Sequence, residues 1–293
     1  MRCFNQLHPI CIFAYFVSMI LLIMLCLEPV VLLMACFGAM FFLKHADDWS
    51  VIMIWLKTLI PMLLIITIAN SLFSHRGVTR LFMFFSQWVT WEAVCYGMTS
   101  GLSLAAVILW FACYQKIMTS DKFLYLFGRI APATSLLISM ALNLVPKLQG
   151  QLKLIQESQE MLLTNKDDQF IHLKKVLRHL SALLGWSLEN TVEQADSMKA
   201  RGYGLRKRTT FHLFRFEVKD VCFLAFFIIV AGICMIGRIL GFGTMDFYPR
   251  MTPLISGAGD IGFYIAFFVL AMTPGILEWK EELSWRFYSL KNI

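Results

Sequence analysis

The stretch EQADSMKARGYGLRKR, residues 193–208, sets Arg201 between Ala200 and Gly202 and follows it with Arg206, Lys207 and Arg208. A guanidinium flanked by two small residues can be approached closely by another surface, and its planar fork suits a carboxylate held by two bonds. The chemistry on offer is recognition rather than bond making. The other reactive side chains assemble no catalytic set: the chain has neither a G-x-S-x-G elbow nor an H-E-x-x-H pair. His172 and His179 are seven residues apart, two helical turns and too far for one metal ion. His45 with Asp47 and Asp48 reads as a short loop between spans. Gly257-Ala-Gly259-Asp-Ile-Gly262 spells G-x-G-x-x-G, but the dinucleotide motif needs a strand before it and a βαβ unit around it, and here it joins a loop to an apolar helix. The phosphate loop G-x-x-x-x-G-K-[ST] is absent, so any work with ATP falls to another chain. The eight cysteines form no C-x-x-C pair and read as small packing residues. No metal, cofactor or nucleic-acid partner is expected.

Arg201 needs a helix to present it. From about Phe170 to Lys199, Leu173, Leu177, Leu180, Leu184 and Leu188 recur at steps of three and four, the period of an amphipathic helix. Gly202 and Gly204 suit its C-terminal end, because glycine takes positive φ cheaply, and cations just beyond that end favour the helix dipole. A preceding helix spans Ala133–Leu163. It is apolar through Val145, is expected to kink at Pro146, and then carries Leu148, Leu152, Ile155 and Leu162 near one face. Thr164–Gln169 makes a polar turn, so the two helices form a hairpin.

The rest of the chain is too apolar for a single soluble core. It is 58% hydrophobic and 15% charged, with mean hydropathy +0.67. Candidate spans are Ile10–Leu27, Val30–Leu43, Val51–Phe73, Ala93–Tyr114, Val218–Ile239 and Ile261–Ile276, and in lipid these must be helices. No cleavable leader is evident, so the first span is read as retained. Thirteen of the 26 Lys and Arg lie between Leu144 and Lys219 beside eight acids, which concentrates five of the net seven positive charges there. The positive-inside rule places this block in the cytoplasm, and with four spans before it and two after, both termini as well. The expected fold is an all-α polytopic membrane protein: about six transmembrane helices plus a cytoplasmic hairpin. Residues 1–117 form the N-terminal helices, 118–217 the cytoplasmic region, and 218–293 the C-terminal helices and tail. The basic hairpin admits two readings. Anchoring on anionic headgroups, at ~1 kcal/mol per base, accounts for Arg206–Arg208. Docking of a cytoplasmic protein accounts for Arg201 as well.

The stretch QADSMKARGYG, Gln194 to Gly204, resembles the second Ala-Arg-Gly signature of the transmembrane T component of energy-coupling factor (ECF) importers. His8-Pro9 and Glu28-Pro29 are similar to that family's opening. Asn70–Phe82 and Trp91–Phe111 resemble its third and fourth spans, Met118–Pro132 the segment before the coupling helices, and Leu137–Gln149 the proline-bearing coupling helix. The resemblance implies a non-catalytic subunit of an ABC-type importer for vitamins or transition-metal ions in a bacterial or archaeal cell membrane. Two ABC-type ATPase subunits would sit below it and a substrate-binding S component beside it in the bilayer. Each coupling helix of the family ends in a small-Arg-small motif that docks one ATPase. Ala200, Arg201 and Gly202 then look like one docking tip, with Pro146 and Gly204 structural. The first tip would fall near Ile155–Leu162, where Gln156 matches but Gln159 and Glu160 stand in place of arginine and glycine, and Asn143 replaces an arginine before the proline. Gln156 and Gln159 are the candidate contacts there. Two other classes stay open: an ordinary ABC permease that binds substrate itself, and a membrane-embedded enzyme. The enzyme would need a cluster of ionisable residues at span depth, where only edge cases such as Glu92 and Arg238 stand.

Overall fold

Proline opens three of the helices, at Pro9, Pro29 and Pro132, where its missing N–H is no loss and its fixed φ is already helical. The computed structural model describes residues 3–46, 49–74, 77–84, 87–128, 130–162, 169–205, 214, 216–248, 252–253 and 257–291. The elements in order are α1 (Cys3–Gln6), α2 (Pro9–Leu25), α3 (Pro29–Ala46), α4 (Trp49–Phe73), β1 (Arg80–Phe84), β2 (Gln87–Thr90), α5 (Trp91–Ile117), α6 (Ser120–Gly128), α7 (Pro132–Leu162), α8 (Gln169–Ala200), α9 (Val218–Ile239) and α10 (Ala258–Lys291). They fall into two compact units: Met1–Lys122 together with Phe214–Ile293, and Phe123–Leu213.

In the first unit α4 packs on α5, α3 on α10 and α5, and α9 on α10 and α2. The core is aromatic. Phe4 meets Tyr15, Phe16, Phe42 and Phe223 edge to face, and Trp110 is fully buried. Its polar tips are satisfied on neighbouring helices: the Tyr15 hydroxyl donates to the Leu270 carbonyl at 2.8 Å and Trp110 Nε1 to the Ala35 carbonyl at 3.1 Å. Small residues set the closest approaches. A Cβ on Gly38 would lie 2.7 Å from the Ala271 carbonyl oxygen, and one on Gly97 would lie 3.0 Å from that of Thr67.

The surface of this unit is apolar in turn. Ile54, Ile65 and Ile68 on α4 and Ile229, Ile233 and Ile236 on α9 are exposed, a pattern that needs a lipid solvent. Four helices are long and apolar enough to cross a membrane: Met53–Phe73, Trp91–Ile117, Val218–Ile239 and Ala258–Ser284. Pro9–Leu25 and Pro29–His45 are apolar but shorter. The chain is therefore an all-α multi-pass membrane protein in architecture.

In this unit one expectation changes, the loop at His45, and one element was not expected, a β-ribbon. Arg80–Thr90 is an antiparallel β-ribbon, with Phe82 opposite Val89 and Met83 opposite Trp88, and α4 ends at Phe73 as the third candidate span does. Runs of four or five apolar residues do not distinguish a strand from a helix. His45 sits in the last turn of α3 rather than in a loop, and its Nδ1 lies 3.0 Å from Glu282 Oε2 on α10; Asp47 and Asp48 lie outside the described residues. Gly257–Gly262 opens α10, and among the described residues no strand leads directly into it, as expected. There Asp260 accepts from the N–H of Gly257 at 3.1 Å and of Gly243 at 3.2 Å, while Gly259 leaves room for the Phe242 ring.

In the second unit α7 and α8 pack together. Leu136, Met140, Leu144, Leu148, Leu152, Ile155 and Gln159 form a half-buried stripe along α7. His179, Leu183, Trp186, Asn190, Gln194 and Met198 form the facing stripe of α8. The leucine ridge expected to pack, Leu177, Leu180, Leu184 and Leu188, is exposed instead. It is rotated about a third of a turn from the seam by the 3.6-residue period. The helix runs unbroken through Pro146. The turn at 163–168 and Arg206–Arg208 lie outside the described residues.

Candidate docking site at the end of helix α8

The end of α8 is a Schellman motif. Gly202, at φ 83°, stops the helix; its N–H donates to the Lys199 carbonyl at 2.9 Å, and the N–H of Tyr203 reaches back to Met198 at 3.0 Å. Arg201 is the capping residue, with its own N–H on the Ser197 carbonyl at 3.1 Å. A Cβ on Gly202 would meet only Leu205 Cδ1 at 3.6 Å, so the glycine is required by its dihedral and not by crowding. Gly204, at φ 93°, continues the turn. The backbone thus holds Arg201 at a fixed place, exposed like Ala200, between one residue with a methyl group and one with no side chain.

The guanidinium has no hydrogen bond or ion pair within 4.0 Å among the described residues. It borders a cleft of about 540 Å³ between the N-terminal half of α7 and the C-terminal half of α8, beside Lys147, Asn190, Glu193, Ser197 and Tyr203. This pairing of opposite halves makes the two helices antiparallel. The walls are more polar than a hairpin seam needs.

Of the residues singled out in sequence, Ala200, Arg201, Gly202 and Gly204 stand together at this tip, and Pro146 is the neighbour of cleft-lining Lys147. Gln156 and Gln159 are not brought to it. Gln159 lies twelve residues beyond Lys147 on α7, about 18 Å along the axis. Gln156 is exposed, whereas Gln159 closes the α7 stripe half-buried, its Oε1 shielded and without a partner among the described residues. His179, near the start of the α8 stripe, has Nε2 in the same condition; the side chain of His172 lies outside the described residues. Lys147, Asn190 and Tyr203 were not singled out in sequence. The available signal was Asn190, Gln194 and Ser197 continuing a core register that Leu183 and Trp186 begin.

Three ionisable residues in the first unit are tied into structure. Glu92 accepts from the backbone N–H of Thr79 at 3.1 Å and from its hydroxyl at 2.7 Å, bracing the β-ribbon. Arg238 donates to the Gly243 carbonyl at 3.0 Å. Buried Glu28, between α2 and α3, accepts from the Tyr264 hydroxyl at 2.8 Å. Among the described residues no three His, Cys, Asp or Glu stand where they could hold a metal ion. A scan of protein-family models and a search of curated proteins each find no match to the chain.

Proposed function

We propose that this chain is the coupling subunit of an ECF-type ABC importer for a vitamin or transition-metal ion. In this reading six helices span the cell membrane, α2 and α3 included, with both termini and the α7–α8 hairpin in the cytoplasm. Two ABC-type ATPase subunits bind the hairpin, and a substrate-binding S component lies alongside in the bilayer. The observation that carries the reading is Arg201: an unpaired guanidinium fixed by a Schellman turn between Ala200 and Gly202. A capping arginine with small neighbours and no internal partner suits a carboxylate on another protein better than it suits a lipid surface, which asks only for mobile charge.

Helices of 31 and 32 residues span about 46–48 Å. An ATPase that moves when it closes on ATP would displace α8 as a stiff rod, and packing along the seam carries the displacement to α7. The chain itself performs no chemistry; hydrolysis belongs to the ATPases and substrate selection to the S component.

The test is isolation of the tagged chain from its native membranes under mild detergent. Two ATP-binding subunits and one small integral membrane protein should accompany it, and ATPase activity should vanish when they are stripped away. A chain that purifies alone at all salt concentrations, or hydrolyses ATP alone, contradicts the reading.

A further inference from the structure

We infer that the exposed leucine ridge of α8 lies on the membrane surface, seated among anionic lipid headgroups by the bases beside it. The opposite end of the same helix, which carries Arg201, is left for a protein. The inference needs no ATPase; it needs only the bilayer that the chain spans.

Leu177, Leu180, Leu184 and Leu188 are between 49% and 70% exposed, about a third of a turn from the seam that holds α8 to α7. Among the described helices α8 is not one of those apolar enough to cross a membrane. Yet four leucines along one face make a patch that water alone does not favour. An amphipathic helix with such a face and with bases on its polar side lies in the bilayer interface.

Charge divides along α8 in the way that anionic lipid favours. Between Gln169 and Leu188 stand Lys174, Lys175 and Arg178 and no acid. Between Glu189 and Ala200 the acids Glu189, Glu193 and Asp196 outnumber Lys199. All four leucines of the ridge fall in the basic part. Lys174 is exposed one turn before Leu177, and Arg178 is exposed one turn beyond Lys174. Their stems can lie along apolar surface while the charged heads reach phosphates.

The ridge suits a protein less well. A second copy of α8 would need the heptad seam to continue. Seven residues beyond Leu180 and Leu184 stand Ser187 and Thr191, so the seam breaks in its second heptad, where a coiled coil sustains about three or four. A protein groove draws most of its strength from aromatic anchors, and leucine is a poor one. Trp186 is half-buried in the seam instead. A lipid surface needs neither register nor anchor, only aliphatic area with cations beside it.

The test uses the full chain, lacking reactive native cysteines, with a nitroxide label at Leu184→Cys on the ridge or at Glu189→Cys in the acidic part. Both positions are exposed, so the labelled chains should fold. Nanodiscs holding one chain each are made of phosphatidylcholine alone or mixed with phosphatidylglycerol. Oxygen collides with a label mostly in lipid, and a nickel chelate mostly in water. With phosphatidylglycerol present, the Leu184 label should prefer oxygen and the Glu189 label nickel. Lys174→Gln with Arg178→Gln should lower the ratio of seated to free ridge by about fivefold for each base lost. Nickel preference at Leu184 in both kinds of disc overturns the inference. Shielding from both probes in both kinds of disc overturns it as well, and assigns the ridge to protein. Oxygen preference that neither lipid charge nor the double variant alters removes the bases and with them the anionic surface. Arg201→Ala should leave the preference of the label unmoved, and loss of the ridge contact leaves the coupling role standing, so the two readings fail separately.

Discussion

Tyr203 donates its backbone N–H to the carbonyl of Met198 across 3.0 Å, and inside the loop that this bond closes sits Arg201. Both residues also line the cleft beside α7, so one turn ends the helix, fixes the arginine and forms part of the wall. The left-handed Gly202 is what lets the bond form.

Gly202→Ala should therefore cost roughly 1–2 kcal/mol locally, the price of a Cβ at positive φ, although the space around it is open. Gly202→Asn should cost less, since asparagine tolerates that region. Amide hydrogen exchange at Tyr203 is the readout. Protection should fall in the alanine variant and largely persist in the asparagine variant, while exchange in α2 and α3 stays unchanged. Equal loss in both variants would mean that crowding, not dihedral strain, selects glycine.

The proposed topology, with the basic block 144–219 in the cytoplasm, rests on the charge distribution. In a chain lacking reactive native cysteines, Lys166→Cys should resist an impermeant thiol reagent added to intact cells and react after permeabilisation. Gln87→Cys, at the start of β2, should react from outside. The reverse pattern inverts the topology and moves Arg201 away from any cytoplasmic partner.

His8 provides a pH handle. Its Nδ1 accepts from the N–H of Ile10 at 3.3 Å, capping α2, and its ring stacks on Phe216 at 3.9 Å. Burial holds its pKa below the ordinary 6.5, and the nearby Asp220 carboxylate opposes that in part. A base whose folded pKa is depressed binds its proton more readily when unfolded. Stability is therefore complete above pH 6.5 and declines as the pH falls from there toward the folded pKa. Thermal unfolding in detergent should show this decline, and His8→Gln should flatten it. An identical profile in the variant would place the effect on another group.

How far the sequence foretold the structure depends on the kind of signal. Val218–Ile239 is a helix with the predicted ends because an unbroken apolar run has one solution in lipid, and its start is marked by Glu217 and Asp220, which exchange a capping box. The long helices α7 and α8 were legible from period and from Gly202. The contact face of α7 was read through Leu148, Leu152 and Ile155, but that of α8 was not. Both the seam through His179 and Asn190 and the ridge through Leu177 and Leu188 repeat at helical spacing, and hydrophobicity favours the ridge that is exposed. The β-ribbon was hidden because its two apolar runs are short and no Gly or Asn stands between Phe84 and Gln87 to announce a hairpin turn. The tip of the site could be read from three adjacent residues. Lys147 could not, because the antiparallel pairing that brings it to Asn190 and Arg201 is a tertiary fact.

The most direct measurement is the affinity of the ATPase subunits for the chain in nanodiscs as Arg201 is changed. A desolvated charge contact of this kind should cost about 2–5 kcal/mol when truncated, because the partner carboxylate is left unpaired. Arg201→Ala should therefore release an ATPase subunit and abolish uptake. Arg201→Lys should restore binding only in part, lacking the fork, and Arg206→Ala should bind like the wild type. Gln159→Ala should matter much less, as expected of a neutral contact worth about 0.5–1.5 kcal/mol. Full assembly and full uptake with Arg201→Ala would contradict the account and return the basic hairpin to the surface of the lipid.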